Sequence, residues 1–235
     1  AFDPAFCVRS PSVRPLLWFG LYRKPEIEKR LSPVQASYSF GEWSSTINRQ
    51  MYGETIEQIK QLIAAGETYQ VNYTLRMRTS FQGDPWSLFS NLACAQGATC
   101  AAYIETSAYA ICSVSPELFF NLDGLHLNCC PMKGTMSRGR TSTEDRLQRL
   151  CLQNSDKNRA ENLMVVDMVR NDMGRIAVLG SVQVPELFTV ERYPTVLQMT
   201  STVTAETKAP IVDIFSALFP PASVTGTPKI HTTQI

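Results

Sequence analysis

The sequence lacks the signals of several common classes of protein. It has no Gly-rich phosphate-binding loop, and its two histidines, His126 and His231, do not stand in a recognisable catalytic motif. No run of about 18 apolar residues occurs, and no charged start followed by an apolar stretch opens the chain. Phosphate chemistry, a membrane span and a secretory signal are therefore not predicted, and we expect a cytoplasmic protein.

A strong charge of either sign is also missing. The formal net charge is +1, without a basic stripe or an acidic tail, so no nucleic-acid partner is predicted. The cysteines form no CxxC pair and show no spacing typical of zinc ligands, which favours reduced, mostly buried thiols. They are Cys7, Cys94, Cys100, Cys112, Cys129, Cys130 and Cys151.

What the sequence does contain is apolar periodicity of two kinds. Residues 49–65 carry apolar side chains at helical spacing and are followed by Gly66, which predicts a helix and its end. Strict alternation predicts a strand at 69–77, with further strands at 101–105, 109–114 and 125–130. A buried strand is also predicted at 16–22.

The second half of the chain predicts helices and strands without βαβ alternation. Thr141 and Glu144 form a capping box for a helix through Leu152, and Ser155 or Asp156 begins another that runs to Asn171. Residues 180–206 have β character, and 211–219 form a short apolar helix. This order predicts an α+β fold. Both ends of the chain look cut, since no initiator Met is present and the helix predicted from Pro228 has no stop signal.

Three short phrases place charged residues inside or beside apolar runs, where a charge needs a partner or a function. They are Ser115-Pro116-Glu117, the segment Pro131 to Thr135 with Lys133 at its centre, and the segment Arg159 to Asp172. The last contains Asp167, Arg170, Asn171 and Asp172, which we interpret mainly as a buried polar network joining a helix to the sheet.

In this order, the phrases resemble those of the chorismate-utilising enzymes. The shared features extend to the segments 66–72, 180–185, 190–191 and 225–229, so the resemblance covers about residue 45 to the end. It implies an incomplete chorismate-binding, anthranilate synthase-like fold with antiparallel β-sheets flanked by helices. We expect residues 1–45 to be a remnant of the N-terminal region. Residues 46–235 would form the catalytic domain, with its C-terminal part missing.

Lys133 is the residue that indicates the branch of the family. The aminodeoxychorismate synthase branch has lysine here and anthranilate synthases usually have alanine; Thr225 and Gln198 point the same way. This branch converts chorismate and ammonia to 4-amino-4-deoxychorismate, the precursor of 4-aminobenzoate and folate. The resemblance implies ammonia from glutamine, released by a partner glutamine amidotransferase subunit or a fused domain.

Roles follow residue by residue from the same resemblance. Lys133 would be a nucleophile and Glu117 the general acid and base, which requires a deprotonated amine and a carboxyl group that holds its proton. From the residues alone, an exposed turn lysine and a glutamate capping a turn are the alternatives. Substrate binding is predicted for Gln70, Thr135, Thr225, Gly226 and Lys229, the last three as a cradle for a carboxylate.

Glu161 is predicted to be a ligand of Mg²⁺, because the family holds the ring carboxylate of chorismate through that ion. The alternative is a salt bridge from Glu161 to Lys157 or Arg159. The second pair of metal-binding glutamates of the family would lie beyond Ile235, so we expect half of a metal site here.

Three other functions stay open. Anthranilate synthase component I is the nearest alternative enzyme, and a non-catalytic remnant that binds chorismate is the second. A purely structural α+β domain is the third, but it does not explain the ordered phrases.

Overall fold

The computed structural model describes residues 20–21, 23–24, 26, 31–35, 37–97 and 99–234. Its strands are β1 (Tyr38–Phe40), β2 (Ser44–Ser45), β3 (Gln70–Val71), β4 (Met77–Arg78), β5 (Phe81–Gly83), β6 (Cys100–Glu105), β7 (Ala110–Ser115), β8 (Leu118–Asp123), β9 (His126–Cys130), β10 (Met132–Ser137), β11 (Gln183–Arg192), β12 (Val196–Glu206) and β13 (Gly226–Thr227). Its helices are α1 (Arg49–Ala64), α2 (Pro85–Gln96), α3 (Ser142–Gln153), α4 (Asp156–Gly174), α5 (Ile211–Leu218) and α6 (Lys229–Gln234), and a 3-10 turn spans Ala222–Val224.

Strand β12 is the centre of a five-stranded antiparallel sheet. It pairs with β11 along one edge, and along the other edge with β10 in its first half and β9 in its second. Strand β8 pairs with the outer edge of β9. The predicted α+β fold with antiparallel sheets and flanking helices is confirmed.

Alternation along β12 explains the core. Its odd-numbered apolar residues from Leu197 to Ala205 are buried, as expected where one face of a strand packs against helices. The first half of this face packs against Leu152 of α3. The second half packs with Val166 and Met173 of α4 and with residues of α5. Helix α4 therefore lies across the sheet, directly beneath the junction of β9 and β10.

The N-terminal part is built differently, from α1, α2 and small two-stranded ladders. Asn48 caps α1 by accepting a hydrogen bond from the backbone N–H of Met51 at 2.8 Å, and α1 buries none of its residues. Several large apolar residues of this part are exposed, among them Trp43 and Tyr69. Apolar burial here is much smaller than beneath β12.

Most of the predicted helices are confirmed, including the Thr141 cap of α3, whose side chain accepts from the Glu144 N–H at 3.2 Å. Ser155 is the N-cap of α4, which continues to Gly174. The strand predicted at 69–77 was wrong in its length. Only β3 and the beginning of β4 form. The two ends of the segment pair with different partners, since β3 pairs with β13 and β4 pairs with β2, so two short ladders replace one long strand.

The predicted strand at 16–22 and the predicted burial of the thiols have different outcomes. The strand predicted at 16–22 falls mostly outside the described residues, and Gly20 and Leu21, which are described, are exposed and outside any strand. The prediction of mostly buried thiols was wrong. Of the six described cysteines, all free, only Cys129 is buried and Cys151 is exposed. In the described residues no helix has the length and apolar character that crossing a membrane requires.

Candidate functional site

Lys133 lies on a β-bulge at the point where β9 passes into β10. The pairing register with β12 is continuous from Cys129 to Met132 and shifts before Thr135, so the extra residue falls at Lys133 and Gly134. Gly134 has φ of +99°, a conformation that L-residues rarely adopt. A Cβ there would lie 3.0 Å from the Cβ of Asn158 on α4. A bulge changes the direction in which a side chain projects, and here it sets the direction of Lys133.

The Lys133 side chain is half-buried and is held by an amide. Its Nζ donates to Oδ1 of Asn72 at 2.8 Å, while its backbone carbonyl accepts from Nδ2 of Asn162 at 3.3 Å. Among the described residues no carboxylate lies within 4 Å of this amine. Burial lowers the pKa of Lys133, and the negative charges of Glu117 and Glu161 partly oppose that decrease.

Glu117 follows a tight turn after β7. Its backbone N–H donates to Oγ of Ser115 at 3.2 Å, and its Oε1 accepts from the N–H of Met132, the residue before Lys133, at 3.4 Å. Burial raises the pKa of Glu117, with smaller opposing effects from the Ser223 hydroxyl, the Met132 N–H and the Lys133 charge. The carboxyl group lines a cavity of about 130 Å³ that also touches Asp172 and Ser223.

Asn72 joins the Lys133 amine to the loop after α5. Its backbone N–H donates to the carbonyl of Thr225 at 2.8 Å, and its Nδ2 donates to the carbonyl of Ser223. Sequence reasoning did not assign Asn72 or Ser223 a role. The signal was present, since alternation placed Asn72 on the same polar face as Gln70.

Gln70 and Gly226 belong to the short ladder between β3 and β13, where Gly226 pairs with Val71 and Thr227 with Gln70. Oε1 of Gln70 and Oγ1 of Thr227 are buried, and neither has a hydrogen-bond partner in the described part of the chain. Thr225 donates its hydroxyl to the carbonyl of Pro221 at 3.0 Å. The ladder thus offers two unpaired polar atoms near the loop that binds Asn72.

Lys229 lies in a different environment from the one expected. Its Nζ is 2.7 Å from Oδ2 of Asp172 and 3.3 Å from the carbonyl of Ala217, and its side chain is 5% exposed. A substrate carboxylate would have to displace Asp172 to reach this amine. We therefore do not propose a contact between Lys229 and substrate.

Thr135 and most of the charged or polar residues in the segment 167–172 of α4 are exposed. Thr135 is exposed, and its hydroxyl donates to Oε1 of Gln198 at 2.8 Å. The expected buried network at 167–172 was wrong except at Asp172. Asp167 and Arg170 form an exposed ion pair with a distance of 2.9 Å between Oδ1 and Nη1, because they lie on the outer face of α4.

Glu161 lies on α4 and faces Lys157, with 3.8 Å between Oε1 and Nζ. This is the alternative that the sequence left open. Arg159, the other candidate partner, instead lies over the ring of Phe188 at 4.8 Å from its centroid. The described residues include no group of three His, Cys, Asp or Glu side chains able to hold a metal ion. They therefore do not fit a complete Mg²⁺ site.

The fold and the site define the class of protein. The family model for chorismate binding enzymes matches residues 18–235, and the chain belongs to this family. It is 40% identical over 88% of its length to aminodeoxychorismate synthase component 1 of Escherichia coli K12, of which it covers 46%. It is 32% identical over 87% of its length to anthranilate synthase component 1 of Aquifex aeolicus, of which it covers 42%.

A solved structure supports the same assignment. The fold matches anthranilate synthase component I from Streptococcus pneumoniae with a TM-score of 0.75 and 26% identity, covering 87% of this chain and 44% of that one. The chain thus spans about half the length of the curated relatives it matches.

Proposed function

We propose that this chain carries part of the catalytic site of an aminodeoxychorismate synthase, which converts chorismate and ammonia to 4-amino-4-deoxychorismate. The observation that carries the proposal is the half-buried Lys133 amine, which is held by an amide and lies near a carboxyl group with a raised pKa. The 40% identity to a protein of that name supports it.

In the first step, the deprotonated amine of Lys133 forms a bond to C2 of the chorismate ring. The two ring double bonds shift from C1=C2 and C5=C6 to C1=C6 and C4=C5, and the C4–O bond breaks. Glu117 supplies the proton with which the 4-hydroxyl leaves as water, and its carboxylate then takes a proton from the new C2 ammonium. A lowered pKa of Lys133 and a raised pKa of Glu117 are the directions that these two roles require.

In the second step, ammonia attacks C4 and both ring double bonds shift back. The C2–N bond breaks, and Glu117 gives a proton to the departing amine of Lys133. The carboxylate of Glu117 then takes a proton from the new C4 ammonium, which restores the acid. Net, the hydroxyl at C4 is replaced by an amino group and one water is released. Covalent catalysis by Lys133 divides one difficult substitution into two easier ones.

Substrate contacts are proposed for Gln70, Thr135, Thr225 and Gly226. Gln70 supports this role best, because its buried Oε1 has no hydrogen-bond partner among the described residues. An amide cannot act as a base toward water, which agrees with attack by an amine. Ammonia would come from glutamine through a glutamine amidotransferase partner, and the reaction would take place in the cytoplasm.

For Mg²⁺ we propose one ligand from this chain. Glu161 would provide one oxygen ligand and the ion would orient a substrate carboxylate, as hard oxygen ligands suit Mg²⁺. Glu161 already forms a salt bridge to Lys157, and the described residues contain no cluster of three His, Cys, Asp or Glu side chains, so the site is incomplete. No step above depends on the ion.

The product distinguishes this function from its alternatives. The full-length protein that contains these residues is incubated with chorismate, Mg²⁺ and an ammonium salt, and the products are separated by chromatography with mass detection. We expect 4-amino-4-deoxychorismate, and we expect none from Lys133→Ala. Anthranilate with pyruvate would instead establish anthranilate synthase activity. Binding of chorismate without turnover would indicate a non-catalytic protein.

A further inference from the structure

We propose that Asn72 is a positioning residue that fixes the Lys133 amine against the loop Pro221–Thr225. This rests on the proposed role of Lys133 as the nucleophile. Asn72 makes three hydrogen bonds in different directions, and two of them go to that loop. The third is the bond from Nζ of Lys133 at 2.8 Å.

The loop contacts determine how the Asn72 amide is oriented. Nδ2 can only donate, and the Ser223 carbonyl can only accept, so this pairing leaves Oδ1 directed away from the loop. Oδ1 is an acceptor, and it receives the Lys133 amine. The reversed amide would place a carbonyl against a carbonyl and an amide N–H against the amine. The loop therefore selects the amide orientation that holds Lys133.

Ser223 links the same loop to Glu117. Its carbonyl accepts from Asn72, and Ser223 lines the same cavity as Glu117, where its hydroxyl lowers the pKa of that carboxyl. Ser223 is 6% exposed. One buried loop residue thus lies beside the proposed acid in the cavity and reaches the proposed nucleophile through Asn72.

Asn72 holds the amine without adding a charge. A carboxylate at the same distance would favour the ammonium form, which cannot attack. The charged groups that already act on Lys133 are Glu117 across the site and Glu161 on α4. An uncharged acceptor at position 72 fixes the amine without adding a third negative charge.

The test uses Asn72→Ala, Asn72→Asp and a matched control, Asn121→Asp. The control makes the same amide-to-carboxylate change at an exposed position on β8. In the full-length protein, the pKa of Lys133 is measured by competitive acetylation across pH with peptide mass analysis, and the rate of chorismate adduct formation by intact mass. Urea unfolding verifies that each variant folds.

We expect Asn72→Ala to slow adduct formation about 10- to 100-fold, the cost of a misplaced reacting group. Asn72→Asp should raise the pKa of Lys133 by about 1–3 and move the pH dependence of adduct formation to higher pH. A purely structural role would not produce that shift. Asn121→Asp should change neither quantity.

The inference is overturned if Asn72→Ala forms the adduct at the parent rate, or if Asn72→Asp leaves the Lys133 pKa where Asn121→Asp leaves it. Acetylation needs no chorismate, so it tests Asn72→Asp independently of catalysis, and adduct formation tests Asn72→Ala. If the parent protein forms no adduct on Lys133 while Asn72→Asp still raises its pKa, the proposed function fails and the contact to Asn72 stands.

Discussion

Two lysines on either side of the loop after α5 differ in what holds the amine. Lys229 pairs with the carboxylate of Asp172 at 2.7 Å and is 5% exposed, whereas Lys133 donates to the amide of Asn72 at 2.8 Å and is half-buried. A carboxylate stabilises the ammonium, but an amide oxygen adds no charge to hold the proton. The first arrangement fastens α6 to α4, and the second leaves an amine that can lose its proton. The chemical role of a lysine therefore depends on its partner more than on its burial.

The largest effect is expected from the carboxyl group near Lys133. Glu117→Gln keeps the shape but removes the proposed proton donor, so adduct formation should slow by about 10²- to 10⁴-fold. Glu57→Gln, which changes an exposed glutamate on α1, is the control and should have no effect. The rate is measured by intact mass after mixing with chorismate.

The pH dependence of adduct formation tests whether Glu117 acts as the acid. The pKa of Glu117 is raised from 4.5, and that of Lys133 is lowered from 10.5. As long as the Glu117 value remains the lower of the two, a rise in pH between the two pKa values reduces the fraction of protonated Glu117 by the same factor by which it increases the fraction of free Lys133 amine. The parent rate should be flat in this window. In Glu117→Gln only the amine titrates, so the rate should rise with pH and level off at the pKa of Lys133. A flat profile in the variant would contradict the role of Glu117.

Breaking the ion pair between Lys229 and Asp172 should have the next largest effect, which is on the stability of the protein. Lys229→Met deprives the buried Asp172 carboxylate of its ammonium, and the free energy of unfolding should fall by about 3–5 kcal/mol. Lys60→Met removes an exposed pair with Glu57 and should cost at most about 1 kcal/mol. Urea midpoints with unchanged slopes measure both. Equal losses would show that the buried pair has no special importance.

The bulge that directs Lys133 should have an intermediate effect. Gly134→Ala forces a side chain into φ of +99° and against Asn158, which we expect to destabilise the protein by about 1–3 kcal/mol. Gly53→Ala in α1 is the control, for which we expect an effect of the opposite sign. A Cβ there meets no atom within 4 Å, so this change should stabilise the helix by about 0.5–1 kcal/mol. Both values come from urea unfolding of otherwise identical proteins.

Removing Lys133 itself should have the smallest effect on stability. Its lowered pKa means that folding disfavours the charged amine below the folded-state pKa, and this penalty disappears as pH rises to the unfolded value of 10.5. Lys133→Met should therefore lie within about 1 kcal/mol of the parent at pH 7, on the stabilising side. Above pH 10 the stability advantage of Lys133→Met over the parent should disappear. A loss comparable to that of Lys229→Met would make Lys133 a structural residue like Lys229.

Local patterns explain how much of this could be predicted. Caps such as Thr141 and the alternation of β12 are encoded within a few residues, so helices such as α3 and the sheet strands β9, β11 and β12 were predicted. Helix α2 and the sheet strands β8 and β10 were not predicted. The bulge at Gly134 depends on the register between two strands. The pairing of Lys229 with Asp172 joins residues 57 positions apart, and the contact of Lys133 with Asn72 joins residues 61 positions apart. No periodicity records such contacts. The family resemblance identified Lys133 and Glu117, but only tertiary structure separates Lys133 from Lys229.

The most direct measurement is the site of covalent attachment. The full-length protein is incubated with chorismate and Mg²⁺ without ammonia, digested, and mapped by peptide mass spectrometry. We predict a chorismate-derived adduct on the peptide that contains Lys133, none on Lys229, and its disappearance when ammonium is added. Amination that proceeds in Lys133→Ala at the parent rate, with no adduct on Lys133 in the parent protein, would contradict the account.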